Sequence, residues 1–345
     1  MEPLKLGIVG FGIFAEKRLA PALTKGEGGA RSVELVAIQK RSLAKAREKA
    51  EEYGVPAAYD SVEALLADPE VEAVFVATPN NLHEAHAVAA ARAGKHVLVE
   101  KPMATNAAAC RRMVDACKEA GTLLMVAHCL RFLESVKVAR EAVQSGSLGE
   151  VRHARMDYSF RSSKSPRTWF RDKAVAGGGA LFDVGVHCVD TLRHVLGDEV
   201  DSAFLRVSPP GLDLERQVAD HASLSLSFRS GALATVAASF DAEYDTSLEV
   251  RGSEGALWTR TFTLVGRRAT IHFKRDDETS TVEVVNSDMY AAELDAFARA
   301  VRAGGPSPVP GEEGLRNQLV LDAALRATGG PVEIPFLERT RGDPL

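Results

Sequence analysis

The sequence predicts an α/β protein with two domains, and three features of its 345 residues point to this class. In the first part of the chain, short apolar runs alternate with helix-like segments, which is typical of parallel strands joined by crossover helices. From about residue 151 the strands lengthen and alternate polar with apolar residues, which indicates a sheet with one covered and one free face. The chain is long enough, and with 46% hydrophobic residues apolar enough, for two cores.

The predicted elements follow a regular order along the first domain. Strands are expected at residues 6–9, 33–38, 71–77, 96–99 and 123–126, and helices at residues 43–53, 82–93 and 106–120. In the second domain, the segment HASLSLSFRSGALATVAASF (residues 221–240) predicts two strands joined by a turn at Ser230-Gly231. Further helices are expected at residues 181–196, 290–302 and 314–326. We place the boundary between domains 1–126 and 127–345.

Composition and charge exclude several classes of protein. A net charge of −5 offers no basic surface for nucleic acid, and no apolar segment is long enough for a membrane span. The start MEPLKLGIVGFG lacks the cationic region and cleavage site of a signal peptide. The four cysteines show no CxxC spacing and predict no disulfide framework. We therefore expect a cytoplasmic protein whose partner is a small molecule, neither nucleic acid nor membrane.

A glycine-rich loop directly follows the first strand. The segment GIVGFGIFA (residues 7–15) carries glycine at positions 10 and 12 and alanine at position 15. The first glycine permits a tight turn, the second lets a pyrophosphate approach the backbone, and the small third residue lets the helix pack on the strand. A structural glycine turn is the alternative reading. We predict dinucleotide contacts from Gly10, Phe11, Gly12, Ile13 and Phe14.

The end of the second strand indicates which dinucleotide is bound. An acidic residue usually stands there and accepts hydrogen bonds from the ribose of NAD. Here the chain continues from Gln39 into Lys40, Arg41 and Ser42, with no carboxylate. Two cations and a hydroxyl suit a 2′-phosphate, so we predict NADP, with NAD as the alternative cofactor. A solvated basic turn is the competing interpretation.

A charged stretch ends the apolar strand of GKHVLVEKPMA (residues 94–104). Glu100, Lys101 and Pro102 stand where a buried parallel strand stops. Open α/β sheets bind ligands beyond the carboxyl ends of their strands, so this stretch predicts the rim of a ligand crevice. The alternative is the solvated start of a loop.

A third motif is GGGALFDVGVHCVDTLRHVLG (residues 177–197). Asp183 and His187 are four residues apart, which places them on one face of a helix, and a histidine beside a carboxylate suits proton transfer. The glycine run lets the chain pass close to something flat or bulky. The alternative for His187 is a buried, hydrogen-bonded structural histidine. His83 and His86 do not form an HExxH pattern and no third ligand is evident, so we predict no metal.

These motifs together resemble the Gfo/Idh/MocA family of oxidoreductases, over nearly the whole chain. The resemblance rests on GIVGFGIFA, on VATPNNLHEAHAVAAARAGKHVLVEKPMA and on GGGALFDVGVH. It implies a Rossmann NAD(P)-binding domain (1–126), then a domain with a large, open-faced, mainly antiparallel sheet for substrate binding and oligomerisation (127–345). In the family the exposed sheet face often forms the oligomer interface, so the resemblance implies a homodimer or homotetramer.

The resemblance also implies roles for single residues. Lys101 would be catalytic and reach both nicotinamide and substrate, with a peptide bond to Pro102 that is often cis. Asp183 would accompany His187, the acid–base group. The segment implied to bind cofactor consists of Thr78, Pro79, Asn80, Asn81 and His83, to which we add Glu100 and Lys101.

Two departures from the family pattern concern the substrate. Leu130 stands where many members have an aromatic residue before Arg131 and Phe132. A basic loop with Arg161, Lys164, Arg167 and Arg171 precedes the glycine run, and we favour a solvated loop over a lid that reads a phosphorylated or acidic sugar. Arg131 and Trp169 are predicted to wall the substrate.

The sequence thus predicts an NADP-dependent oxidoreductase that interconverts an alcohol and a carbonyl on a sugar or cyclic polyol. Two alternatives stay open: a reductase of a non-sugar such as a cyclic diol or imine, and a catalytically silent NADP-binding regulator on the same fold.

Overall fold

The structure is a computed structural model that describes residues 2–24, 28–164 and 168–337. The described chain folds into two compact units, each of which draws on both halves of the sequence. The first unit contains the described residues of 1–129 together with 288–315, and the second contains those of 130–287 together with 316–337. The boundary after residue 126 stays a prediction.

The first unit is built on a parallel sheet of six described strands, in the order β3-β2-β1-β4-β5-β6. Its strands are β1 (Leu4–Val9), β2 (Val33–Gln39), β3 (Ala57–Tyr59), β4 (Ala73–Val76), β5 (His96–Glu100) and β6 (Leu124–Ala127). The central strands are buried on both faces, as expected for a sheet with helices on either side. The predicted parallel sheet is confirmed, and the short edge strand β3 is an addition to it.

Helices connect these strands and have well-defined ends. They are α1 (Ala20–Thr24), α2 (Leu43–Tyr53), α3 (Val62–Leu66), α4 (His83–Arg92) and α5 (Ala107–Ala120), later joined by α9 (Met289–Ala303) and the start of α10 (Gly311–Arg326). A π-helical turn (Ala15–Leu19) leads into α1. The side chain of Asn106 accepts a hydrogen bond from the Ala109 N–H at 2.9 Å and so caps α5, which ends at Gly121 in the left-handed conformation.

The second unit is built on a sheet of nine described strands, in the order β14-β13-β12-β11-β7-β10-β9-β8-β15. The strands are β7 (Val151–Arg161), β8 (Val200–Ser208), β9 (His221–Phe228), β10 (Leu233–Ser239), β11 (Asp241–Gly252), β12 (Ala256–Arg260), β13 (Arg268–Arg275), β14 (Glu278–Val285) and β15 (Val332–Glu333). All neighbours are antiparallel except β7 and β10. The predicted mainly antiparallel sheet is confirmed.

One face of this sheet is covered and the other is not. Alternate residues such as Ala154, Met156, Leu224 and Val236 are buried, whereas their neighbours along each strand are half-buried or exposed. The described helices of the unit are α6 (Glu134–Gln144), α7 (Lys173–Ala176), α8 (Val186–Leu196) and the part of α10 from Arg316 onward, and α8 packs against β7. None of the helices in the described ranges has the length and apolar character needed to cross a membrane.

Candidate active site

The glycine loop after β1 has the geometry of a phosphate cradle. Gly10 has φ +85°, and a Cβ there would lie 2.6 Å from Thr78 Cγ2, so the position requires glycine. A Cβ on Gly12 would meet nothing nearer than the Gly10 carbonyl oxygen at 3.9 Å, so its outer side is open. A backbone with open space in front of a helix start fits the pyrophosphate of a dinucleotide.

The end of β2 is tied to this loop. The side-chain oxygen of the buried Gln39 accepts a hydrogen bond from the Gly10 N–H at 3.1 Å. The backbone carbonyl of Gln39 accepts one from the Phe11 N–H at 2.8 Å. Lys40 Nζ donates to the Phe11 carbonyl at 2.6 Å and to Glu16 Oε1 at 2.9 Å. The role of Glu16 as a partner of Lys40 was not predicted from the sequence. Its position directly after the glycine-rich segment was the one feature that could have indicated this role.

Of the other two residues in this segment, one is exposed and one caps a helix. Arg41 is exposed at the end of β2. Ser42 is the N-cap of α2 and accepts from the Lys45 N–H at 3.5 Å. Lys40 therefore supports the loop, and Arg41 presents its cation to solvent.

His83 connects two segments that were predicted to bind cofactor and substrate. It is fully buried, with Nε2 2.8 Å from the Thr78 carbonyl and Nδ1 3.0 Å from the Pro102 carbonyl. Burial lowers the pKa of its imidazole to about 4, so the ring is neutral and donates to one carbonyl at a time. Asn80 is also buried, whereas Pro79 and Asn81 keep some exposure. Direct cofactor contacts from this segment stay a prediction.

Glu100 and Lys101 lie at the carboxyl end of β5 and are half-buried. The Lys101 N–H donates to Glu100 Oε2 at 3.2 Å, and the Lys101-Pro102 peptide bond is cis. Burial raises the pKa of the nearby Cys129 thiol well above its usual value; Glu293 and Glu100 raise it further, and Lys101 lowers it. The fully buried Glu293 is a second acidic group that sequence reasoning missed.

In the second unit, Asp183 and His187 stand at the start of a long buried helix. Asp183 lies in a π-helical stretch (Leu181–Gly185) that continues directly into α8, on whose first turn His187 lies. π-Helical turns occur frequently at functional sites. The glycine run was expected to pass close to a flat or bulky group. In the structure this group is the Phe182 ring, because a Cβ on Gly178 would lie 2.1 Å from it.

His187 is buried, and its imidazole stacks on an aromatic ring. The Tyr158 ring lies 5.6 Å from its imidazole at an interplanar angle of 28°. The Tyr244 ring meets Tyr158 edge-on at 6.4 Å and 88°. Neither tyrosine was predicted, because they come from β7 and β11, distant in sequence from α8.

Arg131 belongs to a buried polar network. It donates to both oxygens of Asp190, from Nε at 2.9 Å and from Nη2 at 2.7 Å. The Asn317 amide donates to the same carboxylate at 2.8 Å, and Arg193 donates to the Asn317 oxygen at 2.6 Å. Arg131 thus holds Asp190, three residues after His187 on α8, and its predicted contact with substrate stays a prediction.

Two cations of the basic loop, Arg161 and Arg171, are paired with carboxylates. Arg161 lies 2.6 Å from Glu243, and Arg171 donates to Asp220 at 3.0 Å. Arg167 lies outside the described residues, and Trp169 is half-buried in a short 3₁₀ turn. Among the residues that the structure describes, no group of three or more His, Cys, Asp or Glu side chains is placed to bind a metal.

Comparison with known proteins yields two family matches. Residues 4–128 match the model of the GFO/IDH/MocA oxidoreductase family with an NAD-binding Rossmann fold, and residues 136–258 match its C-terminal domain.

Individual relatives are similar along almost their whole length. The chain is 32% identical to a 1,5-anhydro-D-fructose reductase of Ensifer adhaerens, covering 95% of this chain and 98% of the relative. It is 34% identical to a D-xylose 1-dehydrogenase (NADP(+)) of Haloferax volcanii, with the same coverage. The crystal structure of an aldose-aldose oxidoreductase from Caulobacter crescentus superposes with a TM-score of 0.87 at 29% identity, covering 96% of this chain and 100% of that one.

Proposed function

The chain belongs to the Gfo/Idh/MocA oxidoreductase family, and we propose that it is an NADP-dependent enzyme that interconverts an alcohol and a carbonyl on a sugar or cyclic polyol. One observation carries the proposal. Lys101 stands at the carboxyl end of β5, at the same edge of the parallel sheet as the glycine loop after β1. Dinucleotides bind at that edge of a parallel sheet, and a cation there can stabilise the negative charge that develops on a reacting oxygen.

NADP fits the residues at the end of β2 better than NAD does. No carboxylate follows Gln39, and the exposed Arg41 offers an N–H fork suited to a phosphate. The relative from Haloferax volcanii is named as NADP(+)-dependent, which supports the assignment. When bound, the cofactor supplies the acceptor or donor of a hydride.

The chain's own residues manage the proton and the charge. In alcohol oxidation the His187 imidazole accepts the hydroxyl proton. Lys101 stabilises negative charge that develops on the reacting oxygen. Asp183 orients His187 or binds a neighbouring hydroxyl. In the reductive direction His187 returns the proton.

The paired charges of the basic loop favour an uncharged substrate. Glu243 and Asp220 neutralise Arg161 and Arg171, so these two cations offer little attraction to a phosphorylated or acidic sugar. The relatives named above act on an anhydro-sugar, a pentose and aldoses, which supports a neutral sugar. A cyclic diol or imine is the non-sugar alternative.

The free face of the second unit's sheet suits self-association. Along β9 and β10 it presents small side chains, among them Ser223, Ser225 and Ala237, which allow a flat surface to approach closely. We infer a homodimer or homotetramer that uses this face. Light scattering at micromolar concentration should give twice or four times the chain mass, and a monomer would reject the inference.

A cofactor assay tests the proposed activity. NADPH absorbance is followed with a panel of neutral sugars, cyclic polyols and their oxidised forms, with cyclic diols and imines as the second panel. Turnover on the first panel supports the proposal, and turnover only on the second supports the non-sugar alternative. NADP binding without any turnover would indicate a silent regulator.

A lysine variant tests the role of Lys101. Lys101→Ala should lose about 10²- to 10³-fold in turnover, as when one preorganised donor is removed. NADP affinity, titrated by fluorescence, should change little, because the phosphates are held at the glycine loop. Lys137→Ala, on the exposed face of α6, is the matched control. Turnover of Lys101→Ala within a few-fold of the parent would contradict this role.

A further inference from the structure

The second unit contains an aromatic pair that the proposed chemistry does not use. Tyr158 lies on the covered side of β7, in line with Ala154 and Met156, and its ring stacks on His187. The position where the family pattern has an aromatic before Arg131 is here Leu130, which is buried. In this chain the aromatic ring that stacks on His187 comes from the sheet.

Tyr244 extends this pair from an irregular part of β11. In the pairing of β11 with β7, Asp241 lies opposite Arg161 and Asp245 lies opposite Ser159. The chain therefore advances by four residues on β11 and by two on β7, so β11 bulges between these two pairs. Tyr244 lies inside this bulge. Bulges bend a strand and re-aim side chains, and they are over-represented next to active sites.

The Tyr244 ring is held in place although part of it is exposed. Its hydroxyl lies 2.7 Å from Thr263 Oγ1, which lies 3.1 Å from Thr246 Oγ1. The residue keeps 36% of its surface exposed. A ring anchored at its polar end and partly open to solvent presents a rigid apolar surface beside the stack of Tyr158 on His187.

We propose that Tyr158 and Tyr244 form the aromatic wall of the substrate site: Tyr158 positions the His187 imidazole, and the exposed ring of Tyr244 packs against the apolar C–H face of a cyclic sugar. This inference rests on the proposed function and narrows it, because it commits the enzyme to ring-shaped substrates. An acyclic polyol has no flat C–H face for Tyr244 to cover.

The two tyrosines contribute through different physical effects. Stacking restricts rotation of the His187 ring, so Tyr158 acts through His187 and should influence turnover more than binding. Tyr244 removes apolar surface of the substrate from water, so it should influence binding more than turnover. In both cases the ring carries most of the effect. Phenylalanine should replace Tyr158, whereas at position 244 it keeps the ring but loses the hydroxyl contact with Thr263.

The kinetic test uses D-xylose and D-glucose as ring probes. Tyr158→Leu should lower kcat by about 10- to 100-fold with KM near that of the parent, since small misplacement of a catalytic group costs up to that much. Tyr244→Ala should raise KM about tenfold with kcat nearly unchanged, in line with the burial of one ring face. Tyr158→Phe should stay close to the parent, and Tyr244→Phe, which keeps the ring without its anchor, should lie between the parent and Tyr244→Ala. Phenylalanine variants as impaired as the Leu and Ala variants would overturn the inference.

Nuclear magnetic resonance separates this inference from the proposed activity, because it needs no turnover. The ring current of Tyr158 should shift the His187 imidazole resonance, and Tyr158→Leu should remove that shift. Trp258→Leu is the matched control, since Trp258 stacks on His272 at 5.1 Å on the free side of the same sheet. It should move the His272 resonance and leave that of His187 in place.

Ligand-observed resonance measures binding of D-xylose, D-glucose and glycerol in the presence of NADP. Binding of a ring probe that weakens in Tyr244→Ala, with glycerol binding unchanged, supports the inference even if no probe is turned over. If turnover exists but Tyr244→Ala binds the ring probes as the parent does, the inference fails and the proposed function stands. Failure of the parent to bind any ring probe also ends the inference.

Discussion

The buried His83 should make the first unit sensitive to acid. In the folded chain the pKa of His83 is lowered from 6.5 to about 4 by burial, whereas in the unfolded chain the imidazole is hydrated. Between these two pH values the unfolded chain binds a proton that the folded chain does not. The free energy of unfolding therefore falls as the pH drops below about 6.5, and the loss is complete near pH 4.

The size of this effect follows from the shift. A difference of about 2.5 pKa units at 1.36 kcal/mol per unit amounts to about 3 kcal/mol. His83→Gln removes the titrating group and keeps an amide that can donate to the Thr78 or Pro102 carbonyl. The variant should be less stable than the parent at pH 7, but the difference between the two proteins should shrink by about 3 kcal/mol by pH 4.

Denaturant unfolding at a series of pH values measures this difference. Leu98→Ala, in the fully buried centre of β5, is the control, because it lowers the free energy of unfolding without removing a titrating group. The difference in unfolding free energy between this variant and the parent should stay constant with pH. A parent–variant difference for His83→Gln that is equally constant between pH 7 and pH 4 would refute the reasoning.

Three further variants test other parts of the account. Lys40→Asp should shift the ratio of specificity constants from NADP towards NAD, because a carboxylate at the end of β2 can accept from a ribose hydroxyl; an unchanged ratio would contradict the assignment. His187→Asn should lower turnover by about 10²- to 10⁴-fold while substrate affinity changes less, and near-normal turnover at every pH would make His187 structural. Arg131→Met should destabilise the chain by about 3–5 kcal/mol in denaturant unfolding, because it leaves the buried Asp190 carboxylate without its cationic partner; a loss below about 1 kcal/mol would show the ion pair to be dispensable.

Most of the fold was predictable because its signals are local. The alternation of apolar runs and helical periods located five of the six strands that the structure describes in the first unit. The missed strand β3 (Ala57–Tyr59) has only three residues, which are too few to show a periodic pattern in the sequence. In the second unit the period-two pattern of β9 and β10 predicted the covered and free faces correctly.

The arrangement of the candidate site was less predictable, because its partners are far apart in sequence. The motifs indicated Lys101 and His187, but the ring under His187 comes from Tyr158, and no spacing rule connects the two. Arg131 had the residue type of a substrate contact, whereas the structure pairs it with Asp190, 59 positions away. Such pairings depend on how strands and helices pack, which local patterns do not encode.

Every proposed role depends on hydride transfer between a sugar and NADP, which isotope transfer measures. The enzyme is incubated with NADP and a ring sugar deuterated at every carbon, and the reduced cofactor is analysed by mass spectrometry. We predict NADPH that carries one deuterium from the sugar, with the yield strongly reduced in Lys101→Ala. Reduced cofactor without deuterium, or no reduced cofactor with any neutral sugar or cyclic polyol, would contradict it.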